Sequence, residues 1–209
     1  MPAAKSSPKW TYDLHPSVAM HQSMVTGLKQ KSGRTLEEWL DLVRKQGPQT
    51  RKERVAWLKT TYGLGLNFAS LIAERSEGEG EDWSPEGYLK RAPEYVDKMF
   101  AGPKAALRPL YDALLSEGKK LGKDVRVCPC ETIVPLYRNH VFAQVKPSTR
   151  TRIDFGLALK DTKTPKRLID TGGFAKKDRI THRIEISSPA DIDDEVRKWL
   201  KRAYEIDAE

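Results

Sequence analysis

The residues best suited to chemistry in this chain are cations gathered around one short stretch, "RNHVFAQVKPSTRTRIDFGLAL", residues 138–159. Arg138, Lys146, Arg150 and Arg152 fall within it, and Arg183 follows on a later strand-like run. Side chains alternate along a strand, so Arg150 and Arg152 share a face and the "KPST" turn returns Lys146 toward them. Five such cations brought together would bind phosphate or carboxylate, the guanidinium groups by paired N–H donation. Phe142 or Tyr137 would add a ring on which a base stacks. The alternative is a wet, Lys/Arg-decorated sheet face that blunts edge pairing.

A second candidate is "YGLGLNFASLI", which has the form of a helix-hairpin-helix turn. In that reading the backbone amides of Gly63, Leu64 and Gly65 and the following helix N-terminus meet a DNA phosphate, with Arg51, Lys52 and Lys59 adding charge. The competing reading is a tight interhelical turn that needs two glycines. "CPC" sets Cys128 and Cys130 two apart, on one side of a strand. A zinc site would need two further ligands, for which His140 and His182 are the candidates, yet structural zinc pairs usually show wider spacing. Buried, reduced thiols are expected instead. "QVK", Gln144 to Lys146, is shaped like the tail of a carboxylate-x-Lys nuclease site, with Asp124 and Glu131 as available acids but no Pro-Asp pair before the strand. P-loop, paired-His zinc, hydrolase-elbow and dinucleotide fingerprints are absent, so no cofactor is expected.

The elements that must position these residues change character along the chain. Helical spacing dominates to residue 75. Val18, Met20, Met24, Val25 and Leu28 mark one face of a first helix that Gly33 stops. Thr35 caps a second, with Glu38 as capping-box partner, a Leu36, Trp39, Leu40 and Val43 stripe, and Gly47 as the stop. Thr50 caps a third, with Val55, Leu58 and Tyr62 inward and Gly63 beyond its end; "LNFASLIAER" makes a fourth. The acidic, glycine-rich "SEGEGEDWSPEG" reads as a linker. Helices return in "APEYVDKMFAG" and "PKAALRPLYDALLSEGKKLG", the latter kinked at Pro109 or starting near it, with Leu107, Leu110, Tyr111 and Leu114 inward. Period-two runs follow, "DVRVCPC", "TIVPLYR", "HVFAQVK", "RIDFGLAL" and "THRIEIS". An amphipathic helix closes the chain, with Ser188 as cap, Pro189 in its first turn and Lys/Arg toward its end.

These elements predict an α+β protein: a mobile arm over 1–17, a four-helix module over 18–75, a linker over 76–89, and over 90–209 a domain whose antiparallel sheet is packed by helices. Of 209 residues, 38% are hydrophobic and 32% charged, a composition that excludes wholesale disorder. No apolar run reaches membrane-span length and the first residues lack an apolar signal core, so a cytosolic protein is expected. The net charge of +8 is uneven, with +6 over residues 1–75 and +8 over 138–183 against −5 over 76–89. Such patches recruit polyanions through counterion release.

Longer stretches resemble known families. "KSGRTLEEWLDLVRKQG" and "ERVAWLKTTYGLGLNFASLIA" are similar to a helical domain of unknown function, DUF4287. "VDKMFAGPKAALRPLYDALL", "LGKDVRV", "FAQVKPSTRTRIDFGLAL" and "THRIEISSPADIDDEVRKWLKRAYE" resemble a second, DUF5655. The resemblance spans residues 18 to 207 and implies two domains and a bacterial source; it carries over no catalytic residue. The residues therefore point to a non-catalytic protein that binds an anionic partner, nucleic acid first. A small-molecule sensor or an enzyme using the cationic sheet is the alternative.

Overall fold

The structure is a computed structural model and describes residues 10–78, 84–163 and 165–208. Among these lie seven α-helices and a six-stranded antiparallel sheet, an α+β fold with a helical N-terminal region. The chain divides into two compact units, residues 16–88 and a discontinuous one made of 1–15 and 89–209.

The helical unit is built from α1 (Pro16–Ser32), α2 (Leu36–Gln46), α3 (Arg51–Tyr62) and α4 (Leu66–Arg75). The capping box expected at Thr35 forms with Glu38, and Thr50 makes a second one with Glu53. Each box satisfies amides that the first helical turn leaves without partners. Leu28, Trp39, Val43, Leu58, Leu64, Ala69 and Ile72 form the core. Tyr62 fills the gap between two indoles, edge-on to Trp39 at 5.2 Å and to Trp57 at 5.1 Å. Met20 departs from the expected stripe and is 55% exposed. The buried positions of α1, Val18 and Leu28, define a face from which a 100° step per residue rotates position 20 away.

The helix α5 (Pro85–Met99), most of which belongs to the second unit, begins inside the stretch read as linker. Ser84 starts it by accepting from the Gly87 amide at 3.0 Å. The linker's residues 79–83 lie outside the described residues. At "GPKAALRP" a 3-10 turn, Gly102–Leu107, precedes α6 (Arg108–Lys120). Pro109 thus sits in the first turn of α6, where its missing N–H costs nothing, and there is no kink.

The strands are β1 (Arg126–Val127), β2 (Val134–Tyr137), β3 (Val141–Pro147), β4 (Ile153–Leu157), β5 (Ile169–Asp170) and β6 (His182–Ile186). They run in the order β1-β2-β3-β4-β6-β5. The pairs Ala143–Leu157 and Val145–Phe155, continued by Phe155–Ile184 and Ile153–Ile186, stack one wholly buried apolar face. The other face carries Gln144, Lys146, Asp154, Gly156, Arg183 and Glu185 in register. The closing helix α7 (Asp194–Ile206) starts later than expected, capped by Asp193, because Ser188 and Pro189 open a separate 3-10 turn. Its acids do fill the first turn, but its last turn has no basic residue.

The N-terminal segment expected to be a mobile arm is tied to this unit from Tyr12 to His15. Asp13 and Val127 exchange two hydrogen bonds, Asp13 N to Val127 O at 2.9 Å and Val127 N to Asp13 Oδ2 at 2.8 Å. The hydroxyls of Tyr12 and Tyr111 meet at 3.0 Å. The short strand β1 leaves backbone groups open on its free side, and this segment satisfies them. Residues 1–9 lie outside the described residues.

Candidate functional site

The sheet register disperses the expected cluster of five cations. Asp154 on β4 lies opposite Glu185 on β6, and both carboxylates are occupied. Arg183 Nη1 donates to Asp154 Oδ1 and to Glu185 Oε1, each at 2.8 Å. Arg152, just before β4, pairs with Asp154 and Glu185, each at 3.0 Å. Its Nε–H points off the Asp154 oxygen, so that contact is an ion pair and not a hydrogen bond. Ser148 Oγ completes the set by donating to Asp154 Oδ2 at 2.7 Å. Two arginines and two acids thus neutralise one another on the polar face.

Arg138 is used internally as well. Its Nε donates to Asp124 at 2.8 Å, its Nη1 to the Tyr204 carbonyl at 3.2 Å, and its guanidinium lies 4.1 Å over the Tyr204 ring. The Tyr204 hydroxyl and then Arg138 hold the Asp124 carboxyl below its ordinary range. Phe142 is wholly buried, edge-on to Tyr204 at 5.5 Å, and presents no ring to a ligand. Tyr137 is committed too, its hydroxyl meeting His15 Nε2 at 3.1 Å.

Lys146 and Arg150 remain exposed, and the fold supplies them with companions far away in sequence. Together with Lys98 and Met99 at the end of α5, Lys104 and Pro103 in the 3-10 turn, and Glu131 before β2, they line an open cleft of 570 Å³. Lys104 Nζ donates to the Pro147 carbonyl at 2.6 Å and so pins the 3-10 turn to the β3–β4 turn. Lys98, Lys146 and Arg150 make no hydrogen bond or ion pair through their side chains with the described residues. The cleft therefore carries four cations against one acid, three of them uncommitted. Sequence periodicity places Lys98 and Lys104 in unremarkable helical runs; no local signal links them to a turn more than 40 residues on.

At Gly63 the left-handed conformation (φ 66°) ends α3. The Gly63 amide bonds the Lys59 carbonyl at 3.1 Å and the Leu64 amide the Leu58 carbonyl at 3.4 Å. Two of the three amides needed for a phosphate are thus spent on closing the helix, leaving Gly65, the N-cap of α4. Arg51 is paired with Glu74 at 3.3 Å.

Cys128 and Cys130 are unpaired thiols, the first buried and the second half-buried. Burial pushes the Cys128 thiol up to about 12 and raises Cys130 as well. His182 is held between the Thr181 hydroxyl and the Thr162 carbonyl, and His140 by Asp207 at 3.2 Å. Among the described residues no group of three or more His, Cys, Asp or Glu is placed to hold a metal. Nor is any helix among them long and apolar enough to cross a membrane.

No curated protein and no solved structure matches this chain. Two family models do. Residues 20–77 match the one described as Domain of unknown function (DUF4287). Over residues 96–207, more than half its length and the part that carries the sheet and the cleft, the chain belongs to the family described as Domain of unknown function (DUF5655).

Proposed function

We propose that this protein is a non-catalytic binder of nucleic acid, engaging the phosphate backbone at the cleft between α5, the 3-10 turn and the β3–β4 turn. The observation that carries this reading is that Lys98, Lys146 and Arg150 line one cleft with no internal partner, while Arg138, Arg152 and Arg183 are neutralised. Cations held apart on a rigid scaffold keep their attraction for an external anion, and release of the anion's counterions supplies the driving force. The cleft walls carry no aromatic side chain, so the contacts reach phosphates and are indifferent to base sequence. Two thiols without a disulfide fit a reducing cytoplasm, and the family resemblance implies a bacterial source.

The test is the salt dependence of binding to a short duplex of arbitrary sequence. Replacing Lys98, Lys146 and Arg150 together by Gln should weaken binding at low salt and reduce the log–log salt slope by about 0.9 per lost phosphate contact. The folded state should be unaffected, since these side chains support nothing. Parental affinity and slope in the triple variant would end the proposal.

A further inference from the structure

Away from the cleft, a smaller cavity of 290 Å³ opens among the loop after β4, the loop before β6 and the end of α7. It is lined by Ala158, Lys160, Phe174, Lys177, Asp178, Arg179, Thr181, Ile206 and Asp207. Three unusual features converge on it. Lys160 (φ 54°) and Lys177 (φ 56°) are the non-glycine residues in the left-handed region among those described. That region is disfavoured for a side chain bearing a Cβ and persists where the surroundings impose it, commonly at binding sites. Both lysines line this one cavity. At its rim Phe174 is 55% exposed, one of three large apolar side chains left in solvent among the described residues. An aromatic ring in water beside a cationic cavity is a platform for a second ring.

The remaining polar groups narrow the ligand. Asp207 is fully buried and spent on Arg179, His140 and two backbone amides, which removes both it and most of Arg179 from recognition. The Thr181 hydroxyl is bonded to the Leu159 amide and to His182. Lys177 makes no side-chain bond with the described residues. Asp178 accepts weakly from the Ile180 amide at 3.3 Å. The cavity thus offers a ring, the Lys177 ammonium group and an exposed carboxylate over an apolar floor of Ala158 and Ile206. A free guanidinium fork would suit a planar carboxylate, whereas ammonium groups act as point charges and suit phosphate. The carboxylate of Asp178 suits hydroxyl donors. At 290 Å³ the space holds one ring system and one anionic group.

We infer that this cavity is a second binding site, for a nucleotide unit whose base stacks on Phe174, whose phosphate meets Lys177, and whose sugar hydroxyls donate to Asp178. The assignment stands independently of the cleft, so its test uses the full-length chain carrying the Lys98, Lys146 and Arg150 to Gln replacements. Adenosine monophosphate at ten times its dissociation constant should raise the melting temperature by about 5 °C. Inorganic phosphate or adenosine alone should do less. Phe174→Ala should remove the contribution of the ring, and Lys177→Gln that of the phosphate. Lys177→Gly, relieved of its left-handed constraint, should melt no lower than its parent without ligand yet lose the response. A ten-nucleotide single strand, run in parallel, separates the sources. A lower effective concentration for the monophosphate assigns free nucleotide, and the reverse order assigns a strand. Equal shifts from inorganic phosphate and the monophosphate, no shift from either nucleotide form, or parental responses in Phe174→Ala and Lys177→Gln would each overturn the inference.

Discussion

Asp207, at the C-terminal end of α7, is an anion where the helix dipole is unfavourable to negative charge. Its side chain is 1% exposed, so it persists through its donors. The amides of Asn139 and His140 both donate to Oδ2 at 2.8 Å, and His140 Nδ1 and Arg179 Nη2 approach Oδ1. Replacing it by Ala removes all four. Hydrogen bonds to a charged group are each worth about 1.5–3 kcal/mol, and the two amides bring the gross loss to about 3–6 kcal/mol. Asn139 and His140 are exposed, so water re-solvates part of that; His140 and Arg179, 64% and 45% exposed, add no more than surface ion pairs do. The net expectation for Asp207→Ala is a loss of about 2–4 kcal/mol. Asp207→Asn keeps one oxygen for the two amides and should lose about 1–2 kcal/mol; His140→Ala should lose under about 1 kcal/mol. Urea titrations followed through the amide resonances of β2 to β4 report this unit alone. With a slope of about 1.5–2 kcal/mol/M for a unit of this size, the alanine variant's midpoint should fall by about 1–3 M. A loss below about 1 kcal/mol for Asp207→Ala, or an equal loss for His140→Ala, would refute the account of Asp207 as the anchor of this corner.

Two further expectations follow from buried groups. At pH 8, Cys128 should react with iodoacetamide about 10³-fold more slowly than an ordinary thiol, read by mass spectrometry, because its thiolate is suppressed by burial. The sign of the linked stability effect is set by a folded-state value of about 12 against 9.0 for the free thiol. Its contribution is intact below pH 9 and is lost as pH rises toward 12, a loss that Cys128→Ala should remove from an alkaline titration. Replacing Tyr12 and Asp13 together by Ala should lower the stability of the sheet unit by about 2–4 kcal/mol, through lost ring burial, the lost bond from the Val127 amide to the Asp13 carboxylate and the lost Tyr12–Tyr111 hydroxyl contact. An unchanged urea midpoint would mean that the segment adds nothing to the fold.

Local chemistry was legible from the residues alone. Thr35 with Glu38, the stop at Gly63, and the Leu107, Leu110, Tyr111 and Leu114 stripe all stand where spacing puts them. Each depends on interactions within one or two helical turns. Alternation likewise sorts the residues of β3 and β4 onto two faces, because the two-residue period of a strand is a local property. Errors came where a second element intervened. Phe142 falls on the alternation's polar side yet is buried, since Tyr204 of α7 covers it. The N-terminal segment looked unstructured because its partners, Val127 and Tyr111, lie about 100 positions on.

Charge shows the division most sharply. Composition and order along the chain establish that the basic stretch exists, and its alternation establishes that Lys146 lies on the face opposite Ala143 and Val145. Whether each cation is free is a question of a few ångströms between segments that the sequence separates. The register that sets Asp154 against Glu185 silenced Arg152 and Arg183. The packing of α5 and the 3-10 turn beside the β3–β4 turn gave Lys146 and Arg150 the company of Lys98 and Lys104. Coulomb energy falls with distance and with screening by water, so only the folded arrangement decides which of these charges cancel and which stay available to a partner.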